Sequence, residues 1–180
     1  MIYYISDLHL GHEKVIHMDN RPFDNAFEMQ EKIIRNWNSV VTGKDTVYSL
    51  GDMFWKPSIA EQILPRLNGS IVLIRGNHDR INDNIKNLYS DIYHYLEVND
   101  DSRRVILCHY PIAHWNAQHR GAIHLYGHIH NNRENRPFQL YAKMCREEGI
   151  PFECYNVGCM LSYMDYTPRT LDYIRKVAKY

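Results

Sequence analysis

The chain has 180 residues, of which 44% are hydrophobic, with 21 basic and 21 acidic side chains. This composition is typical of a globular protein and excludes a largely disordered chain. A formal net charge of zero offers no broad electrostatic surface for long nucleic acid, and no apolar run approaches the ~20 residues that a membrane-spanning helix needs.

The length predicts one domain over residues 1–180. The first polar motif begins at Ser6, which leaves no room for a signal peptide before it. The four cysteines form no C-x-x-C pair. Cysteines without an export signal are typical of the reducing cytosol, so we expect a cytoplasmic protein with no membrane partner.

The first half of the chain alternates predicted strands and helices. Apolar runs predict strands at residues 2–5, 46–50 and 70–74. Apolar positions that recur at intervals of three and four predict a helix at residues 24–41, and a second helix is expected at residues 58–67. Strand, helix, strand, helix, strand in this order favours parallel pairing through right-handed crossovers.

The second half is richer in direct strand pairs. Residues 92–98 and 103–108 are predicted to form a hairpin around the turn at residues 99–102. Another strand is expected at residues 123–126. Together the elements predict an α/β fold in which two packed sheets have helices outside them.

The C-terminal third contains the least regular pattern. Residues 138–148 are predicted to be helical after a polar loop, and the whole stretch 131–151 is either a surface excursion or a lid that faces the substrate. A strand is expected at residues 152–157. A closing helix at residues 171–177 is expected to be capped by Thr167 or Thr170.

Five predicted strands are each followed by side chains that commonly bind metal ions. Each motif alone is a weak signal, since a lone histidine is usually structural and Gly, Asn and Asp are common in turns. Their order and their position at strand ends favour one shared site. The segments are Ser6-Asp7-Leu8-His9, Leu50-Gly51-Asp52, Arg75-Gly76-Asn77-His78-Asp79, Leu107-Cys108-His109 and Tyr126-Gly127-His128-Ile129-His130.

The spacing of these residues suggests how the donors converge. Strand alternation sends residues two apart to the same face, so Asp7 is expected to point with His9, and His128 with His130. Nitrogen and oxygen donors without thiolate favour Mn²⁺, Fe, Ni²⁺ or Zn²⁺. The set is too large for one ion but suits two divalent metal ions that share a carboxylate, with Asp52 as the natural bridge.

The ordered motifs resemble those of the calcineurin-like metallophosphoesterase superfamily, whose signature runs D-x-H, G-D, G-N-H-[DE], H and G-H-x-H. The resemblance spans residues 1 to about 130. It implies a four-layer αββα sandwich of two mixed β-sheets flanked by helices. Residues 21–23, 31–38 and 156–169 further resemble a branch of small bacterial and phage phosphoesterases.

The resemblance also implies a role for each motif residue. The predicted ligands of one metal ion are Asp7, His9, Asp52 and His130, and those of the second are Asp52, Asn77, His109 and His128. His78 is implied to lie over the substrate phosphate instead of binding metal, which makes it the predicted catalytic acid for the leaving oxygen.

Three neighbours of the motifs are further candidates. Arg21 is a predicted substrate-binding residue, since arginine is the usual partner of a phosphate oxygen; the alternative is a solvated loop residue. His12 could hydrogen-bond a ligand or the substrate. Asp79 could orient His78 or cap an ordinary turn.

We therefore predict a two-metal-dependent phosphoesterase, either a phosphodiesterase or a phosphomonoesterase. Its predicted partner is a small phosphorylated substrate, such as a phosphodiester or nucleotide, attacked by a metal-bridging hydroxide. One alternative is a metal-dependent nuclease on DNA or RNA, which the zero net charge weakly disfavours. Another is a non-catalytic scaffold of the same fold, which the intact ligand positions disfavour.

Overall fold

Two four-stranded β-sheets bring the motifs to one end of the molecule. The computed structural model describes residues 1–133 and 135–178. Its strands are β1 (Ile2–Ile5), β2 (Thr46–Ser49), β3 (Ser70–Ile74), β4 (Asp91–Tyr93), β5 (Tyr95–Asp100), β6 (Arg103–Cys108), β7 (Ile123–Tyr126) and β8 (Cys154–Asn156). Its α-helices are α1 (Glu13–Met18), α2 (Ala26–Val40), α3 (Pro57–Ile63), α4 (Asp83–Lys86), α5 (Asn135–Glu147) and α6 (Leu171–Val177), and short 3₁₀ turns occupy Leu64–Arg66 and Gln118–Arg120.

The first sheet has the strand order β1-β2-β3-β4, and all of its strand pairs are parallel. Ile5 lies opposite Ser49, which lies opposite Leu73, so the three strands end at one level. This confirms the predicted parallel pairing but corrects the expectation that both sheets are mixed. The only antiparallel contact to these strands among the described residues is an isolated bridge between Tyr4 and Arg169.

The second sheet is mixed, with the order β5-β6-β7-β8. The β5–β6 hairpin is antiparallel, as predicted, whereas β6, β7 and β8 run parallel. The predicted strand at residues 92–98 is wrong as one unit, because β4 joins the first sheet and β5 joins the second. The chain changes sheets at His94, and a continuous polar and apolar alternation cannot show such a change.

Residues from both sheets and their helices form the core. One buried cluster joins Trp37 of α2 and Ile5 of β1 to Leu107 and Leu125 of the second sheet. Ile106 belongs to a smaller cluster with Ala142 and Cys145 of α5, because successive residues of a strand face opposite sides of a sheet. The molecule therefore has α2 outside the first sheet and α5 outside the second, which matches the expected layers.

Helix ends agree with the sequence where a local cap defines them. The Thr170 side chain accepts a hydrogen bond from the Tyr173 amide, so α6 begins at Leu171 as predicted. By contrast, α5 begins at Asn135 and not at residue 138. Pro137 is tolerated there because amides in the first helical turn need no intrahelical partner. None of the described helices combines the length and apolar character required to cross a bilayer.

Candidate metal centre

The loops after β1, β2, β3, β6 and β7 meet at one end of the two sheets and bring all seven predicted metal ligands together. The Asp7 carboxylate accepts a hydrogen bond from the His128 amide at 3.0 Å, although 121 positions separate these residues. The Asp52 carboxylate similarly accepts the His78 amide at 2.8 Å. The site is therefore assembled from both halves of the chain.

One set of donors, the His9 group, consists of His9 and His130. Their Nε2 atoms lie 3.2 Å apart. Two nitrogens that each bind one transition-metal ion at its usual distance are separated by about 3.0–3.4 Å. The Asp7 carboxylate also lies within 4.8 Å of a nitrogen of each histidine, so the group and Asp7 together offer three donors to one ion.

A second set, the His109 group, consists of Asn77, His109 and His128. Asn77 Oδ1 lies 3.1 Å from His109 Nε2 and 3.0 Å from His128 Nδ1. The His109 Nδ1 atom faces the carbonyl oxygen of Leu50 at 2.7 Å and carries the ring proton there. His109 Nε2 then presents a lone pair to an oxygen, and two acceptors at this distance repel unless a proton or a cation lies between them.

Two aspartates lie between the groups. Asp52 Oδ2 is 3.7 Å from His9 Nε2 and 3.6 Å from His109 Nε2, a nearly equal separation that suits the predicted bridge. Asp7 also forms compact donor sets with members of both groups, so a second carboxylate lies within reach of both, which the sequence did not indicate.

Burial and missing hydrogen bonds further fit a bound cation. Asp7 is fully buried and Asp52 is buried, and burial is the main cause that raises the pKa of the Asp7 carboxyl. Asp7 Oδ2 has no hydrogen-bond partner among the described residues. A buried carboxylate oxygen of this kind is costly unless a ligand satisfies it, and a carboxylate beside imidazole nitrogens suits a divalent metal ion.

The orientation of the proposed metal ligands depends on a backbone conformation that strand alternation did not predict. Asp7 and His9 lie beyond the end of β1, and His128 and His130 lie beyond β7. Their orientation therefore comes from left-handed backbone, which costs non-glycine residues on the order of 1–3 kcal/mol each. The φ angles are +57° at Asp7, +48° at His9, +51° at Asp52, +70° at His128 and +42° at His130.

Two glycines allow the loops to pack closely. A Cβ atom at Gly127 would lie 1.8 Å from Ser6 Oγ, and one at Gly76 would lie 2.3 Å from Asp52 Oδ1. Neither distance is compatible with a side chain, so both positions require glycine for close approach to the ligand loops.

Asp19 supports the site, and no motif pointed to it. Its Oδ1 atom accepts a hydrogen bond from His130 Nδ1 at 2.8 Å, and its Oδ2 atom accepts from the Arg21 guanidinium at 2.8 Å. Burial alone would raise the pKa of Asp19, but the His130 hydrogen bond and the Arg21 charge together lower it. Asp19 is therefore an anion that fixes the His130 ring.

The predicted phosphate contact of Arg21 does not fit its position. Its side chain is fully buried, and the guanidinium donates to the carbonyl oxygens of Asp7 and Leu8, each at 2.9 Å. The same guanidinium also donates to Asp19, so its N–H groups already have partners within the protein. Arg21 thus stabilises the loop that carries Asp7 and His9 through hydrogen bonds to its backbone, and it does not face a substrate.

The structure also assigns a place to Asp79. Its carboxylate accepts the amides of Asp52, Met53 and Gly76 at 2.8–2.9 Å. These contacts correspond to the turn cap that the sequence allowed, and they join the second motif to the third.

His78 follows Asn77 on the loop after β3, but its ring lies beside the His9 group. It is exposed, and its ring centroid is 5.6 Å from that of His9, whereas Asn77 faces the His109 group. His12 stacks on Trp55 with ring centroids 3.7 Å apart, and Trp55 lies 5.3 Å from His78. The Nδ1 atom of His12 has no hydrogen-bond partner among the described residues, so the contact of His12 with a ligand or with the substrate stays a prediction.

Comparison with known proteins gives the wider relationship. Residues 1–148 match the calcineurin-like phosphoesterase superfamily domain. The chain is 34% identical to the uncharacterized protein MJ1445 of Methanocaldococcus jannaschii, over 98% of this chain and 90% of that protein. It also superimposes on the crystal structure of the protein of unknown function AQ665 from Aquifex aeolicus, with a TM-score of 0.74, 26% identity and 99% of each chain covered. The chain therefore belongs to the calcineurin-like phosphoesterase superfamily.

Proposed function

We propose that this member of the superfamily is a two-metal-dependent phosphodiesterase that acts on small substrates. The observation that carries the proposal is the pair of donor groups about the Asp52 carboxylate, which lies 3.7 Å from His9 and 3.6 Å from His109. Paired ions that share one carboxylate can bind the attacking and the leaving oxygen of a phosphoryl transfer.

This geometry supports the following assignment of ligands. His9 and His130 would hold one ion, and Asn77, His109 and His128 the other, with Asp7 and Asp52 available to both. When bound, the ions would supply the positive charge that activates a water and neutralises charge on the phosphate. Mn²⁺, Fe, Ni²⁺ and Zn²⁺ suit this nitrogen and oxygen donor set.

His78 is proposed to act on the leaving group. Its amide is tied to Asp52 Oδ1, while its ring stays exposed beside the His9 group. An imidazole nitrogen at this position can donate a proton to the departing ester oxygen. The buried donors cannot fill this role, because their lone pairs point into the centre.

The exposure of the site supports a small diester as substrate. Asn77 and His78 are exposed, and Tyr110 beside His109 is 43% exposed. A diester has substituents on both sides of phosphorus, and an open site leaves room for both. Nucleotides meet the same description.

The test combines metal analysis with a substrate panel. Protein purified without chelator is expected to contain about two transition-metal ions per chain and to hydrolyse bis(p-nitrophenyl) phosphate with one or more of Mn²⁺, Mg²⁺, Ni²⁺ and Zn²⁺. Asp52→Asn should lower metal content and activity together, whereas Asp24→Asn, which changes an exposed aspartate, should alter neither.

Other outcomes would overturn defined parts of the proposal. Uptake of one ion under excess Mn²⁺ would remove the shared-carboxylate arrangement. Hydrolysis of p-nitrophenyl phosphate alone would make the protein a monoesterase, and hydrolysis of DNA or RNA alone would make it a nuclease. A folded protein that binds no metal and hydrolyses no ester would be a scaffold.

A further inference from the structure

A cavity separate from the metal centre lies between α5 and the carboxyl ends of β7 and β8. Its volume is about 590 Å³, which is within the usual range for small-molecule sites. Tyr126 and Asn156, the last residues of β7 and β8, line it together with one side of α5. None of the proposed metal ligands contributes to its lining.

The cavity is nevertheless next to the metal centre along both strands. Tyr126 precedes the ligand His128 by two positions. The Asn156 side chain donates to the His130 carbonyl oxygen at 3.1 Å and accepts the Gly158 amide at 2.8 Å. Asn156 is therefore a wall residue of the cavity that contacts the loop carrying the proposed ligand His130.

A polar side chain in the cavity wall lacks a partner. Asn135 is 93% buried and lines the cavity, and its Oδ1 atom has no hydrogen-bond partner among the described residues. An orphan carbonyl oxygen of this kind is costly. Rotation about the soft terminal torsion of asparagine would present Oδ1 to a ligand that carries an N–H group.

The remaining lining combines aromatic surface with positive charge. The half-buried Phe138 ring packs on Tyr126 with centroids 5.1 Å apart. Arg136, Lys143 and Arg146 contribute three basic side chains, and none of the described lining residues is acidic. Glu147 lies 3.6 Å from Lys143 on the same helix, which leaves a local excess of two positive charges. In a chain with zero net charge, this local excess favours a ligand that is both aromatic and anionic.

We propose that this cavity is a subsite for the nucleotide part of the substrate. The base would pack beside Phe138 and donate an N–H group to Asn135, and an anionic group would interact with Lys143 and its basic neighbours. This inference rests on the proposed phosphodiesterase function. Residues 131–151 were expected to be either a surface excursion or a lid that faces the substrate. The proposed subsite favours the second alternative, because α5 would then face the substrate.

Binding of adenosine monophosphate, with inorganic phosphate as the reference, tests the subsite directly by isothermal titration. Adenosine monophosphate should bind more tightly than inorganic phosphate. Asn135→Ala should weaken it about tenfold, the effect of one lost hydrogen bond, and Lys143→Ala should also weaken it. Lys176→Ala, a matched change of an exposed lysine on α6, should have no effect.

Activity on bis(p-nitrophenyl) phosphate separates the two proposals. It should be unchanged in Asn135→Ala and Lys143→Ala, because this small diester does not need the cavity. If the protein hydrolyses the diester but binds adenosine monophosphate no better than phosphate, or binds it equally well in both variants, the subsite is wrong while the function stands. If it binds the nucleotide through Asn135 but hydrolyses no ester, the function is wrong.

Discussion

Asp19 holds His130 by the ring nitrogen that does not face the other metal donors. Asp19 Oδ1 lies 2.8 Å from His130 Nδ1, and His130 Nε2 lies 3.2 Å from His9 Nε2. The hydrogen bond keeps the proton on Nδ1 and leaves the Nε2 lone pair for a metal ion. One carboxylate outside the motifs therefore determines which atom of a proposed ligand is available.

Replacement of Asp19 should weaken metal binding. We expect Asp19→Ala to lower the affinity for Mn²⁺ by about 10–100-fold, the usual effect of losing a carboxylate behind a ligating histidine. Asp19→Asn should lower the Mn²⁺ affinity by a smaller factor, since its amide oxygen can still accept a hydrogen bond from His130 Nδ1. Isothermal titration of folded protein measures both, with Asp24→Asn as the control. Wild-type affinity in folded Asp19→Ala would contradict the role of Asp19.

Replacement of Arg21 should change stability and not substrate affinity. Arg21→Met leaves the Asp19 carboxylate without its buried cation, and breaking such a pair costs about 3–5 kcal/mol. The free energy of unfolding in urea measures the loss. Under conditions where the variant is folded, its KM for bis(p-nitrophenyl) phosphate should match that of the wild type. A raised KM with unchanged stability would contradict this role and support the phosphate contact that the sequence predicted for Arg21.

His78→Ala should separate catalysis from metal binding. We expect metal content to stay near two ions per chain while activity falls by about 10²–10⁴-fold, the range for a lost general acid. The decrease should be smaller for esters with good leaving groups, because these need little protonation. Loss of an ion in His78→Ala would make His78 a ligand, and equal losses for good and poor leaving groups would make it a phosphate contact only.

His124 should make stability depend on pH below neutrality. It is fully buried, its Nδ1 donates to the Ile106 carbonyl oxygen at 3.1 Å, and its Nε2 accepts the Ile112 amide at 3.3 Å. Burial lowers its pKa to about 4 from the ordinary value of 6.5. The unfolded chain therefore binds a proton between pH 6.5 and 4 that the folded protein excludes, and stability falls as pH falls.

The expected contribution of His124 over this interval is about 3 kcal/mol. Urea unfolding of the wild type and of His124→Leu at pH 7 and pH 4.5 measures it. The variant should be less stable at pH 7, because two hydrogen bonds are lost, but should lose less stability on acidification. Identical pH dependence in the two proteins would rule out His124 as the cause.

The sequence by itself located the proposed site at the ends of strands. An apolar run followed by glycine, aspartate or histidine is a local signal, and Asp7, Asp52 and His128 each follow such a run. Parallel pairing then brought these strand ends to one edge, as expected. The start of α6 was also predictable, because Thr170 caps it from the preceding position.

Only the tertiary structure decided how these residues are held and what surrounds them. Left-handed backbone at Asp7 and His9 is maintained by packing against other loops, so strand alternation could not predict it. The contact between Asp19 and His130 joins residues 111 positions apart, and Arg21 lies 6.0 Å from the ring centroid of the distant Tyr166. Local patterns extend over a few residues, whereas burial and hydrogen-bond partners arise when distant segments pack together, and that packing determines the role of each side chain.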